Sequence, residues 1–206
     1  KLQKQVDLME KNPSASFCVH ANYELNDKTG KMKKRHPYKK SGVLSIEEVL
    51  IEPGGMPATC SMLMRTEYIN QYPVYDLPCP VGDRSRRMFL IDKGPALYID
   101  DLMCVYRVNN SNSFGGQLYN YNKSIKLVEE MNTFFDLYNN YTNFKYTSYI
   151  KLLKEREIIS HYVRFKKYDQ IVKTEFYKKY YTFIDKIKLF VKWRLSPLYV
   201  IYKKKK

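Results

Sequence analysis

The sequence has no C-x-x-C pair, no D-x-D triplet and no run of about 18 apolar residues. The first absence, with no His at finger spacing from any of the four cysteines, argues against a structural zinc site. The last leaves no candidate spanning helix. Cys18, Cys60, Cys79 and Cys104 are widely spaced, and Cys18 and Cys104 fall in apolar, strand-like runs. They read as buried thiols of a reducing compartment rather than as disulfides. Glycine is absent after residue 117, and Pro197 is the only proline there. The chain opens on Lys1 with no signal-like segment after it, which reads as a start inside a longer protein.

What is abundant is positive charge, unevenly spread. The net charge is +15, and residues 120–206 carry 20 Lys and Arg against 8 Asp and Glu. Such a stretch attracts polyanions, either nucleic acid or anionic lipid, or else forms a solvated helical surface. Lys, Asn, Tyr and Ile are all frequent, as an AT-rich genome would give, so part of the lysine excess carries no information. At 44% hydrophobic residues over 206 positions, the chain can build a real core.

The pattern predicts an α/β chain. Leu2, Val6 and Met9 recur at helical spacing over residues 1–11, and Asn12-Pro13 ends that helix. Residues 16–25 read as one strand, and the polar residues 26–40 as a surface loop or hairpin tip. Ser45 and Glu48 form an S-x-x-E capping box at the head of a short helix. Residues 52–57 are a turn, 58–64 a strand, and 72–82 irregular. A helix is expected over 83–93, capped by Asp83 and closed by Gly94. Strands follow at 96–99 and 103–108, then a loop over 109–116. Beyond it, apolar residues spaced by three and four, such as Leu127, Met131, Phe134 and Phe135, predict two to four helices.

Three segments stand out in order: TCSMLMR (Thr59 to Arg65), PVGD (Pro80 to Asp83) and GPALYIDDLMCVYR (Gly94 to Arg107). With the opening KLQKQVDLMEKNP, this order resembles the second half of the family 2 glycosyltransferases of the GT-A fold, of the type that builds bacterial surface polysaccharides. The resemblance covers about residues 1–116 and rests on order and spacing rather than on one strong motif. It implies a partial GT-A-type mixed sheet with flanking helices over 1–116, followed by a mostly helical basic extension over 117–206.

The implied activity is inverting transfer of a sugar from a nucleotide-sugar donor to an acceptor hydroxyl. The acceptor would be a saccharide or a lipid-linked sugar. The acidic residue at the start of the helix then falls on Asp83 as general base. Gly82 lets the chain turn into that helix. Ser61, Met62 and Arg65 would lie on the acceptor side, although one of Met62 and Met64 is expected to pack in the core, because strand neighbours face opposite ways. Arg107 could meet phosphate oxygens, or pair with Asp100 or Asp101.

Where the family often has a metal-binding His, this chain has Asn109, at best a neutral oxygen ligand. The divalent cation (Mn2+ or Mg2+) would thus take its ligands upstream of Lys1. His20 and His36 do not read as metal ligands. Residues 182–206 mix Trp193 and aliphatics with Lys186, Lys188, Lys192 and Arg194, a composition suited to an anionic headgroup layer. These features imply a cytoplasmic enzyme, peripheral on the inner face of the cell membrane. Two rivals stand beside this reading. One is a nucleic-acid binder, suggested by the charge and twenty tyrosines but lacking any recognised signature. The other is a non-catalytic assembly partner on the same fold.

Overall fold

The computed structural model describes residues 1–53, 55, 57–74, 77–110 and 113–194. The class is α/β, with mixed sheets and flanking helices. Helix α1 (Leu2–Glu10) leads into β1 (Phe17–His20) and β2 (Asn22–Asn26). The hairpin partner of β2 is β3 (Met32–Arg35). Then follow β4 (Gly42–Leu44), α2 (Ile46–Ile51), a 3-10 turn at Thr59–Ser61, β5 (Leu63–Met64) and α3 (Thr66–Ile69). Helix α4 (Gly82–Lys93) precedes β6 (Ala96–Ile99) and β7 (Val105–Val108). The remainder is helical: α5 (Phe114–Gln117), α6 (Tyr121–Tyr141), α7 (Thr147–Arg164), α8 (Tyr168–Ile171), α9 (Glu175–Tyr180) and α10 (Phe183–Arg194).

Two sheets form where one continuous strand was expected at 16–25. The larger has the order β4-β6-β1-β5, with β1 parallel to β6; the smaller has the order β3-β2-β7, with β2 parallel to β7. The division falls at Ala21. Phe17 faces Ala96, an offset of 79, whereas Tyr23 faces Val105, an offset of 82. The partner chain therefore carries three extra residues between its strands, and an unbroken ladder across both is geometrically impossible. Ala21 bridges the step: its N–H donates to Ile99 O at 3.0 Å, and its carbonyl accepts from Met103 N at 3.2 Å. No property of residues 16–25 alone encodes this break.

Local signals fared better. The Ser45 capping box is present in full, with Glu48 N donating to Ser45 Oγ at 3.1 Å and Ser45 N donating to Glu48 Oε2 at 2.9 Å. Residues 58–64 differ from the expected strand, because a 3-10 turn occupies Thr59–Ser61 and only Leu63 and Met64 pair, with β1. Helix α4 starts at Gly82, so Val81 is the N-cap and Asp83 lies inside the first turn; Asp83 is not the cap. Gly94 closes α4 in extended backbone rather than a left-handed turn. Its need for glycine is steric: a Cβ there would sit 2.2 Å from Ser14 O.

Beyond residue 117, five helices are found among the described residues, more than the two to four expected. The core joins them to the sheet. Phe17, Val19 and Tyr98 of the larger sheet, Met88 to Ile91 of α4, Phe134, Phe135 and Tyr138 of α6, and Leu152 and Leu153 of α7 belong to one buried cluster. Tyr138 donates its hydroxyl to Met88 O at 2.8 Å, a buried polar tie between α6 and α4. This packing holds α7 over the N-terminal end of α4, where the principal cavity opens.

Candidate functional site

A cavity of about 1080 Å³ lies between the start of α4, the end of β7, the loop before α5, and α7. Asp83 is in its wall. The carboxylate is 17% exposed; its Oδ2 accepts from Thr59 Oγ1 and lies 3.9 Å from Nη1 of Arg87. Oδ1 takes no hydrogen bond among the described residues. The 3-10 turn that displaced the expected strand is what brings Thr59 to this carboxylate.

Behind Asp83 is a buried ionic network. Arg87, only 2% exposed, places Nη2 2.6 Å from Glu52 Oε1, and Arg156 of α7 places Nη1 2.7 Å from Glu52 Oε2. Arg84 pairs with Glu157 and lays its guanidinium 5.1 Å from the centre of the Phe135 ring. Burial pushes the Glu52 carboxyl up, but Arg87, Arg156 and Arg84 together outweigh burial and hold it below its ordinary value. Glu52 ends α2 in the left-handed region at φ 49°, which turns its side chain inward. Arg87 is thus neutralised chiefly by Glu52, and Asp83 is its distant second carboxylate.

The cavity is cationic on balance. Among the described residues Lys28, Arg84, Arg86, Arg107, Arg156 and Arg164 line it with Asp83 and Glu157, and three of these cations are paired: Arg84 with Glu157, Arg156 with Glu52 and Arg107 with Asp27. A cationic cleft with low-dielectric walls concentrates anionic ligands. Tyr106, Phe114 and Tyr119 add aromatic surface of the kind on which sugar rings or bases rest.

Of the residues singled out from sequence, Asp83, Gly82, Arg107 and Asn109 meet at this cavity, and Ser61, Met62 and Arg65 do not. Ser61 is buried and donates to Ala58 O at 2.7 Å, shaping the 3-10 turn. Met62 packs on the core and touches Arg87 through sulfur at 3.7 Å. Arg65 donates to Ala15 O and Met9 O, each at 2.8 Å, fastening α1 to the sheet. These three serve the frame: Ser61 and Arg65 turn to backbone carbonyls, and Met62 to the core and the buried Arg87.

Arg107 pairs with neither Asp100 nor Asp101. It makes a bidentate pair with Asp27, Nε to Oδ1 at 2.8 Å and Nη2 to Oδ2 at 2.9 Å, and this holds the Asp27 carboxyl below its ordinary value. Asp100 instead accepts from Tyr98 and contacts His36 at 2.6 Å, and Asp101 pairs with Lys4. Asn109 adopts a left-handed backbone at φ 64° beside the cavity. Among the described residues no group of three or more His, Cys, Asp or Glu could hold a metal ion. His20 is buried, with Nδ1 2.7 Å from Ala21 O, and desolvation lowers its pKa.

Glu52, Thr59, Arg84, Arg87, Arg156 and Glu157 were not singled out from sequence. One signal was available for two of them. In DRSRRMFLIDK, Arg84 and Arg87 share the α4 face with Met88 and Ile91. A cation on an apolar stripe demands a buried acidic partner. Compared with known proteins, the chain matches no family model, no curated protein and no solved structure.

Proposed function

We propose that this chain is the acceptor-side part of a glycosyltransferase of the GT-A type, with residues 117–206 as its basic extension and Asp83 as the base of an inverting transfer. The observation that carries the reading is a single one. A carboxylate with one oxygen that takes no hydrogen bond among the described residues stands in the wall of a cationic cavity of about 1080 Å³, at the first turn of a helix. In the proposed step Asp83 takes the proton of an acceptor hydroxyl while that oxygen bonds to the anomeric carbon. The bond from that carbon to the donor phosphate breaks on the opposite face, and a nucleoside diphosphate leaves. Thr59 holds Oδ2, directing Oδ1 to the acceptor. Lys28, Arg86 and Arg164 supply positive charge toward an anionic donor or acceptor, while Arg107 is held by Asp27. The cation that assists the leaving group would be held by residues outside 1–206, and no role in holding it is given to this chain.

The test is acceptor-dependent release of nucleoside diphosphate. A protein joining this chain to a donor-binding half is expected to release it from a nucleotide sugar, and residues 1–206 alone are not. Release by neither, across nucleotide sugars and saccharide acceptors, would reject the class.

The same reading places the enzyme at the inner face of the cell membrane, touching it through its C-terminal region. Phe183, Ile187 and Phe190 are exposed on one face of α10, whereas Lys188 and Lys192 lie on the other side with Asp185 and Leu189. Residues 195–206, including Pro197 and the terminal lysines, lie outside the described residues. Among the described residues no helix is long and apolar enough to cross a membrane. Cosedimentation with phosphatidylglycerol vesicles is expected. Replacing Phe183, Ile187 and Phe190 by Ser should weaken it by roughly 1000-fold or more, since each aromatic or aliphatic group buried is worth at least about 1.5 kcal/mol. Salt-sensitive binding to random RNA without binding to vesicles would favour the nucleic-acid rival.

A further inference from the structure

The four thiols are not equivalent. Cys18 is buried beside Gln5, and Cys79 is half-buried with its sulfur 3.7 Å from Met131 Sδ. Cys60 is exposed on the 3-10 turn, and Cys104 lies just before β7. Their sulfurs are 3.2 Å apart, in contact across a sequence separation of 44. A disulfide needs about 2.05 Å between sulfurs, so closure takes a movement of roughly 1 Å. Both segments can supply it, since neither cysteine is inside a paired strand.

We infer that Cys60 and Cys104 are a reversible disulfide pair that ties the turn carrying Thr59 to the strand carrying Arg107. The two positions bracket the cavity: Thr59 holds the Asp83 carboxylate, and Arg107 is three residues beyond Cys104. From the sequence all four read as buried thiols of a reducing compartment; the exposure of Cys60 and its contact with Cys104 set this pair apart.

The roles of the two sulfurs follow from their surroundings. Burial, then the hydrogen bond and charge of Cys60, push the Cys104 thiol up to about 12. Its proton therefore stays, in contact with the Cys60 sulfur. Cys60 is the solvent-accessible nucleophile and Cys104 the resolving thiol. With a small-molecule disulfide as oxidant, the Cys60 thiolate attacks one of its sulfurs, forming a mixed disulfide and expelling one thiolate. Cys104 sulfur then attacks Cys60 Sγ; the second thiolate leaves, and the Cys104 proton is taken up by it. Two electrons pass from the protein to the oxidant, giving one protein disulfide and two small thiols. In a reducing compartment such a bond is transient and responds to redox state.

The test is made on the whole chain and reads mass, so its result is separate from any sugar transfer. The protein is incubated with excess glutathione disulfide, its free thiols are alkylated, and it is digested without reduction. Two of the four thiols should be lost, the mass should fall by about 2 Da, and the peptides of Cys60 and Cys104 should be linked. Dithiothreitol should restore all four thiols. Cys104→Ser should instead trap glutathione on Cys60, and Cys18→Ala with Cys79→Ala should leave the linkage intact. Four alkylated thiols after oxidation, or a glutathione adduct that persists on Cys60 of the unaltered chain, would overturn the inference.

Discussion

Replacing Glu52 by Ala is expected to cost about 3–5 kcal/mol of folding stability, the range for breaking a buried ion pair from one side. Glu52 touches Arg87 at 2.6 Å and Arg156 at 2.7 Å; Glu52 and Arg87 are out of water, and Arg156 is largely so. Without the carboxylate, two guanidinium groups stay buried with no counter-charge in contact on that side. Asp83 at 3.9 Å is too far and too exposed to replace it. Glu52→Gln keeps the shape and one carbonyl acceptor but no charge, so an intermediate loss is expected. The double variant Glu52→Leu with Arg87→Met should lose less than the sum of its single changes, because each removes the other's unpaired group.

The acid limb of stability follows from the same group. In the folded chain the Glu52 carboxyl lies below its ordinary value, so the unfolded chain binds its proton first as pH falls. The stabilisation is complete above the unfolded carboxylate value and is lost as pH drops through the lower folded value. Urea unfolding from neutral to acid pH should show a steeper decline for the parent than for Glu52→Gln. A loss below about 1 kcal/mol for Glu52→Ala would mean the network is solvated and not buried.

Much of the local structure was legible, and the reason is that its causes are local. The Ser45 capping box, α4, and strands β6 and β7 are each set by neighbours in sequence. What was not legible depends on distant partners. The break at Ala21 is imposed by three extra residues between β6 and β7. The true partner of Arg107 is Asp27, 80 residues away, not the adjacent aspartates. Glu52 sits in a stretch that reads as a turn, and only the folded α4 and α7 reveal why an acid is needed there.

The candidate site divides in the same way. Asp83 and Gly82 stand at a junction that sequence marks, so they were found; the role of Asp83 as a cap was not sustained, because α4 starts one residue earlier. Ser61 and Arg65 stand in a motif whose 3-10 turn redirects their side chains into the frame. Thr59 comes to Asp83 through that same turn, and sequence gave no hint of it.

The second large effect is that of Asp83→Asn. Asparagine has nearly the same shape and can still accept from Thr59, so the cavity should keep its form. Arg87 retains Glu52, and the partly exposed pair at 3.9 Å is worth about 1 kcal/mol at most, so the melting behaviour should barely change. What disappears is the carboxylate proposed to take the acceptor's proton, a loss worth about 10²–10⁴-fold in rate on that proposal. It should fall on kcat, with donor KM nearly unchanged, because no bound donor group depends on that proton.

The decisive measurement is therefore kcat for acceptor-dependent release of nucleoside diphosphate by this chain joined to a donor-binding half, with Asp83 and with Asn in its place. A fall of at least about 100-fold, in a variant that melts like the parent, is the expected result. Equal rates would mean that no proton passes to this carboxylate and that the cavity serves some other chemistry.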